Sequence, residues 1–221
     1  MIRSQKAVTA DAEPVSNWAI GTEPNILTRI HDPEINIAIQ ERAISPLAHE
    51  VSRLLDENIG LKTSGDISTI VDAITKALPP NSSPLIIQDI HTLLLHFREV
   101  VQVEQFRLLL ATVNTNMCRK FHTDINDVRL LCTYSGPGTL WLTNDNINRS
   151  ALSSYADNDS IVLEESEVRQ AKTGAVVLLK GAIYPQEKTS AVVHRSPTIE
   201  ESGEKRLLLR IDTNEALNLW I

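Results

Sequence analysis

Apolar residues recur along this chain with two different periods, and the change falls near residue 100. Before it, three segments repeat their apolar positions every three or four residues, the spacing of a helix face. The first, Ser45 to Asn58, carries Leu47, Val51, Leu54 and Leu55, with Ser45 as N-cap, Pro46 at the first helical position and Gly60 as its end. The second, Ser64 to Leu78, carries Ile67, Ile70, Val71, Ile74 and Leu78 and stops at Pro79–Pro80. The third runs from Ser83 to Arg98 with Ile87, Ile90, Leu93, Leu94 and Phe97. Each has one apolar stripe, so each should lie against something else. Residues 1–40 are mixed and polar and read as an irregular arm, with a short strand at Ile35–Ile39.

After Glu99 the runs become short and rich in Val, Leu and Ile: FRLLLATV, VRLLCTY, GTLWL, SIVLEE, GAVVLLKG, SAVVHRS and KRLLLRI. Gly, Pro, Asn and Asp punctuate them, which predicts an antiparallel sandwich or barrel. The plan is therefore α+β. A helical buttress over 41–100 covers the outer face of a β-rich unit over 101–221, and 41–221 form one compact unit.

Composition narrows the function classes. The 221 residues suit one domain with a helical extension, and an apolar fraction of 42 % supports a sizeable core. No apolar run approaches the ~18–20 residues of a membrane span. The N-terminus MIRSQKAVTADAEP has no apolar segment behind its charge, so no secretory signal is expected. A net charge of −7 disfavours a broad nucleic-acid surface. Two cysteines, Cys118 and Cys132, make no disulfide framework; they read as reduced thiols of a cytoplasmic protein, packed as small hydrophobes.

The chemistry concentrates in the stretch from Cys118 to Leu142. His122 and Asp124 are separated by one residue, so on a strand both point to one face and converge on one cation. His194, closing the run SAVVH downstream, is the matching third ligand. Two histidines and one carboxylate leave coordination positions open, the pattern of non-haem Fe(II) oxygenases. The plainer alternative is a hydrogen-bonded His–Asp pair that orders a strand end, with His194 in a loop. Cys118 offers another: a bend that brings it to His122 and His194 would favour zinc.

Other residues carry weaker signals. His31 belongs to a turn, and His91 and His96 are five apart, too poorly aligned on a helix to chelate. The loop Ser135–Thr139 is a tight turn built on two glycines and lacks the Lys-Ser/Thr of a phosphate loop. Trp141 either packs in the core or lines a pocket. Arg149 either sits exposed or turns into the cavity toward an acidic substrate.

From Phe106 to Asp212 the chain resembles the Fe(II)/2-oxoglutarate-dependent oxygenases, on the pieces FHTD, GTLWL, TGAVVLLKG, HRSP and KRLLLRID. The resemblance implies a double-stranded β-helix, or jelly-roll, barrel, with Fe(II) on His122, Asp124 and His194. It implies that Arg206, with Arg210 close behind, grips the distal carboxylate of 2-oxoglutarate, and that Tyr134 adds a hydrogen bond. Arg206 and Arg210 are four apart and share one side of a strand. Many relatives carry Arg-x-Ser where this chain has Arg206-Leu207-Leu208. The whole chain is also similar to a bacterial family named domain of unknown function 1826, through CRKFHTD, LCTYSGPGTLWL and the following Arg149. The implied activity is oxygenation of a small molecule or a protein. The alternative is a non-catalytic zinc or other metal binder on a cupin-like barrel.

Overall fold

The computed structural model describes residues 16–78, 83–185 and 190–213. Residues 1–15 of the expected arm and the helix stop at Pro79–Pro80 lie outside the described residues.

The chain opens with two short parallel strands, β1 (Trp18–Gly21) and β2 (Ile37–Gln40). Only the second was expected. Between them a 3-10 turn, Pro24–His31, buries Leu27 and Ile30. The pair is stitched at its start by Asn17 and Asn36, whose amides hydrogen-bond at 2.7 Å. Four residues are too few to show a strand period, and that hid β1 from pattern alone.

The helices differ from expectation at their ends. Ser45–Leu47 is a separate 3-10 turn without a side-chain cap, and α1 spans Ala48–Asp56. Asn58 takes a left-handed conformation (φ 53°), and Gly60 opens β3 (Gly60–Gly65) instead of ending a helix. This strand is polar and lies at the sheet edge, so it lacks the apolar alternation that reveals a strand. Ser64 therefore belongs to β3. The cap of α2 (Ile67–Ala77) is Asp66, whose side chain accepts from Thr69 N at 2.8 Å. The longest helix, α3, spans Pro84–Val101. Its first amides, on Leu85 and Ile86, donate to the buried Glu50 carboxylate at 3.1 and 2.8 Å.

The second half supplies β4 (Phe106–Val113), β5 (Val128–Ser135), β6 (Leu140–Trp141), β7 (Arg169–Gln170), β8 (Val176–Lys180), β9 (His194–Arg195) and β10 (Arg206–Thr213). Two short helices, α4 (Arg149–Ser153) and α5 (Asn158–Ile161), lie between β6 and β7. The run SIVLEE is thus not a strand; it ends α5, with a single bridge from Val162 to Ile147. Only the end of SAVVHRS is strand. In the turn SGPGT, Gly136 is left-handed (φ 79°). Gly138 is needed for close approach, since a Cβ there would meet the Ala171 carbonyl oxygen at 2.1 Å.

The strands form a seven-stranded sheet, β1-β2-β8-β5-β10-β4-β3, and a three-stranded sheet, β7-β6-β9. The α+β class is as expected. Among the described residues, however, the strands make two sheets and do not close into one barrel. The helices cover one face of the large sheet, where Phe106, Leu108, Leu130, Leu207 and Leu209 pack with Ile70, Ile90, Leu94 and Phe97. On the other face Leu131, Val177 and Leu208 pack with Trp141 and Val192 beneath the small sheet. No described helix is long and apolar enough to cross a membrane.

A second polar cluster, besides Glu50, lies on the helix side. Asp89 of α3 takes both Nη atoms of Arg42, at 2.5 and 2.9 Å, and the Tyr134 hydroxyl at 2.7 Å. Arg42 also donates to the Gly174 carbonyl at 3.0 Å and lies 3.5 Å from Cys132 Sγ. Burial pushes the Cys132 thiol up to about 11, against the opposing charge of Arg42. Tyr134 and Cys132 thus belong to the helix side. Cys118 is a free thiol as well, but exposed, against the expectation that both cysteines pack. Asp89→Ala would leave a half-buried guanidinium without its carboxylate. Urea unfolding should show a loss of roughly 3 kcal/mol; a loss below about 1 kcal/mol would contradict the role given to this carboxylate.

Candidate metal centre

His122 and His194 are neighbours in the backbone before they are neighbours in chemistry. Each donates its N–H to the other's carbonyl at 3.0 Å, an isolated antiparallel bridge alongside β9. β9 pairs in turn with β6, Trp141 opposite His194. The bridge brings the two imidazoles to 4.7 Å between ring centres. Asp124, two residues past His122, is pinned where its carbonyl accepts from Ala182 N at 2.8 Å.

The side chains then converge. Asp124 Oδ1 lies 3.6 Å from His122 Nε2, and its Oδ2 lies 3.2 Å from His194 Nε2. One ligand atom from each of the three residues falls within 4.8 Å of the others. The orientation of the rings is set from behind. His122 Nδ1 lies 2.8 Å from the Lys120 carbonyl, and His194 Nδ1 lies 3.5 Å from the Val192 carbonyl. A carbonyl only accepts, so Nδ1 carries the proton and Nε2 faces Asp124 with a free lone pair when the ring is neutral. His194 is 5 % exposed and Asp124's side chain 13 %, whereas His122's side chain is 35 % exposed, so the group is covered on the His194 side and open at His122.

Two residues outside the expected ligand set complete the electrostatics. Arg129, on β5, donates through Nη1 to Asp124 Oδ2 and through Nε to Asp212 Oδ1 at 2.5 Å. Asp212, on β10, also takes Arg210 Nε at 3.1 Å. Burial alone would raise the Asp124 carboxyl. The charge of His194, hydrogen bonds from both imidazoles and the Arg129 charge outweigh it and hold the group far below the ordinary range. Burial likewise opposes the charged form of His122, but its bonds to Asp124 and the Lys120 carbonyl raise it overall.

These residues line a cavity of about 350 Å³ between the two sheets. Arg206 and Arg210 both face it, as their spacing required. They differ in partners. Arg210 is paired with Asp212. Arg206 is 1 % exposed; its Nη2 donates to Thr133 Oγ1 at 3.2 Å, and its Nε has no partner. No carboxylate pairs with it among the described residues, and burial pushes the guanidinium down to about 10.

Other expected site residues lie elsewhere. Tyr134 points to the helix side and bonds Asp89, because it shares strand parity with Leu130 and Cys132 and not with Arg129. Trp141 is 1 % exposed and packs 6.1 Å from Trp18; it belongs to the core and does not line this cavity. Arg149, at the start of α4, donates to Asn144 Oδ1 at 2.9 Å and does not line the cavity. Cys118 does line it, held at φ 38° with its carbonyl accepting from Ser196 N, but it stands outside the His–Asp–His group. The zinc-thiolate alternative loses its ligand there. Arg129 and Asp212 carried a usable signal: each is a charged residue at the parity of an inward-facing strand position.

The class the fold defines is the mixed α+β arrangement also found in dioxygenases. It is similar to a dioxygenase for auxin oxidation from rice, at TM-score 0.51 and 12 % identity over 89 % of this chain and 82 % of that one. A prolyl-4-hydroxylase from Pseudomonas putida aligns at TM-score 0.48 and 10 % identity over 86 % and 93 %. An Fe(II)/α-ketoglutarate-dependent dioxygenase, TqaL, aligns at 0.46 and 13 % over 85 % and 84 %. At 12 % identity the likeness to the rice dioxygenase is one of fold alone. By sequence the chain belongs to the family described as "Protein of unknown function (DUF1826)", whose profile matches residues 21–212. A search of curated proteins finds no match.

Arg129→Met would leave the Asp124 and Asp212 carboxylates without the cation between them. Unfolding at pH 7 should show a loss of roughly 3–5 kcal/mol. A carboxyl held low in the fold stabilises fully above its unfolded value and loses that stability as pH falls toward its folded one. The gap between wild type and variant should therefore narrow below the ordinary carboxylate value of 3.8. A gap that is independent of pH would contradict the clamp.

Proposed function

We propose that this protein is a non-haem Fe(II)/2-oxoglutarate-dependent oxygenase on a reduced, open form of the double-stranded β-helix. The observation that carries the reading is a single cavity with two complementary features. One wall presents His122, Asp124 and His194 within 4.8 Å of one another. The same cavity holds the buried Arg206 guanidinium, whose Nε is unpartnered. Burying a cation without a counter-charge costs several kcal/mol, so the site is built to receive an anion there.

The donor set fits Fe(II): two imidazole Nε2 atoms and one carboxylate oxygen, with room left on the cavity side. Arg206 fits the distal carboxylate of 2-oxoglutarate, through a planar fork suited to bidentate recognition. Thr133 steadies that fork from β5, and Leu208 stands where many relatives carry serine. Iron with 2-oxoglutarate would supply an oxidising reaction with O₂ that no side chain provides. The chain's own part is to orient the three ligands, to keep Asp124 ionised through Arg129, and to shield the site beneath the small sheet. The two free thiols fit a reducing compartment such as the cytoplasm.

Anaerobic titration should show one equivalent of Fe(II) bound. 2-Oxoglutarate should raise the melting temperature further only when metal is present. Arg206→Gln should retain the metal and weaken 2-oxoglutarate at least about tenfold, whereas His194→Ala should lose both. Failure of Fe(II) to bind, or a 2-oxoglutarate affinity unchanged in Arg206→Gln, would overturn the reading.

A further inference from the structure

We propose a second ligand site, outside the metal cavity, that takes a small aliphatic monocarboxylate between Arg169 and the Trp141 indole. The inference needs no metal and does not rest on the oxygenase reading.

The first support is a pair of unsatisfied donors. Five buried side-chain nitrogen or oxygen atoms lack a hydrogen-bond partner among the described residues. One of them, Arg206 Nε, belongs to the metal cavity. Two others, Trp141 Nε1 and Arg169 Nε, belong to residues that line a different cavity, of about 190 Å³. An indole N–H and a guanidinium N–H only donate, so the missing partner is an acceptor. Trp141 is 1 % exposed. A buried donor left without an acceptor costs about 1–3 kcal/mol.

The second support is geometry. In the small sheet Trp141 stands opposite Arg169 of β7 on one side and His194 of β9 on the other. Directly opposed residues share a face, so Trp141 separates this cavity from the metal ligands. The Arg169 guanidinium lies 4.2 Å from the centre of the Trp18 ring and 5.5 Å from that of Trp141. Stacking holds the guanidinium in place without using its N–H groups. One carboxylate can therefore reach the guanidinium and the indole N–H together.

The third support is charge and size. Glu41 and Lys172 also line the cavity, and they pair with each other at 2.7 Å. Gln170 lines it too, and its amide donates to the Gly138 carbonyl at 3.1 Å. Among the described residues the side-chain partners of Arg169 are the two indole rings, so the cavity keeps a surplus of one positive charge. A monoanion balances that surplus, whereas a phosphate dianion overshoots it. The rest of the wall, Ile20, Ile39 and Ala171, is apolar and suits a short hydrocarbon tail. The volume falls below the ~300 Å³ at which pockets for drug-sized ligands begin, so the ligand is small.

The test uses the full chain without metal, isotope-labelled for NMR and titrated at constant ionic strength with butyrate, uncharged butyramide and inorganic phosphate. The readout is the Trp141 indole N–H resonance, which moves when that N–H gains an acceptor. Butyrate should shift it along a saturating curve, at least about tenfold more tightly than butyramide or phosphate. Arg169→Gln should abolish the saturation. Arg169→Lys, which keeps the charge and loses the planar fork, should retain a weakened part of it. Arg206→Gln, in the other cavity, should bind butyrate as the wild type does. The wild-type comparison of butyrate with butyramide decides the matter even where a variant fails to fold. Butyramide or phosphate binding as tightly as butyrate, saturation that survives Arg169→Gln, or saturation lost in Arg206→Gln would overturn the proposal. A failure of Fe(II) to bind would overturn the oxygenase reading and leave this site standing.

Discussion

Strand parity in β4, β5 and β10 is the constraint on which the rest depends. Along these three neighbours, one set of alternate residues is almost wholly apolar and meets the helices. The other set carries Arg107, Arg129, Arg206, Arg210 and Asp212, set among leucines. A slip of one residue would exchange the two sets, placing guanidinium groups under the helices and leucines in the cavity. The register is thus fixed by the helical layer, and the helical layer thereby fixes which side chains can do chemistry.

The charged face is tolerable because its members answer one another. Asp124, Arg129, Asp212 and Arg210 form a chain of alternating sign across three segments of backbone. Such a chain contributes little net stability compared with apolar packing, but removing one member strands its neighbours. That asymmetry makes the network a positioning device. It holds one oxygen of Asp124 and leaves the carboxylate ionised beside two imidazoles. Arg206 is the exception: among the described residues its side chain has one hydroxyl as partner. An uncompensated buried cation in an otherwise compensated wall marks where a ligand completes the structure.

Much of this was legible in the sequence, and the parts that were not failed for physical reasons. The three helices follow from long apolar stripes, which no other element mimics over that length. His122, Asp124 and His194 were found because metal chemistry restricts residue type, and because i and i+2 share a strand face. Their meeting across the fold needed the backbone bridge between residues 122 and 194, which no local pattern contains. β1 is too short and β3 too polar to show a period. SIVLEE was misread because a short apolar run serves a helix end as well as a strand. Tyr134 was placed in the cavity for want of parity: only the helices show which face of β5 looks inward. Arg129 escaped notice because a charged residue in a strand reads as surface until its face is known to be covered.

The most direct test is X-ray absorption of the Fe(II)-loaded protein at the iron edge, compared among wild type, His122→Ala, Asp124→Ala and His194→Ala. The account predicts a wild-type first shell of nitrogen and oxygen at about 2.0–2.2 Å, with the outer-shell scattering of two imidazoles, one of which is lost in each histidine variant. A shell that contains sulfur, or one unchanged when His194 is replaced, would contradict it.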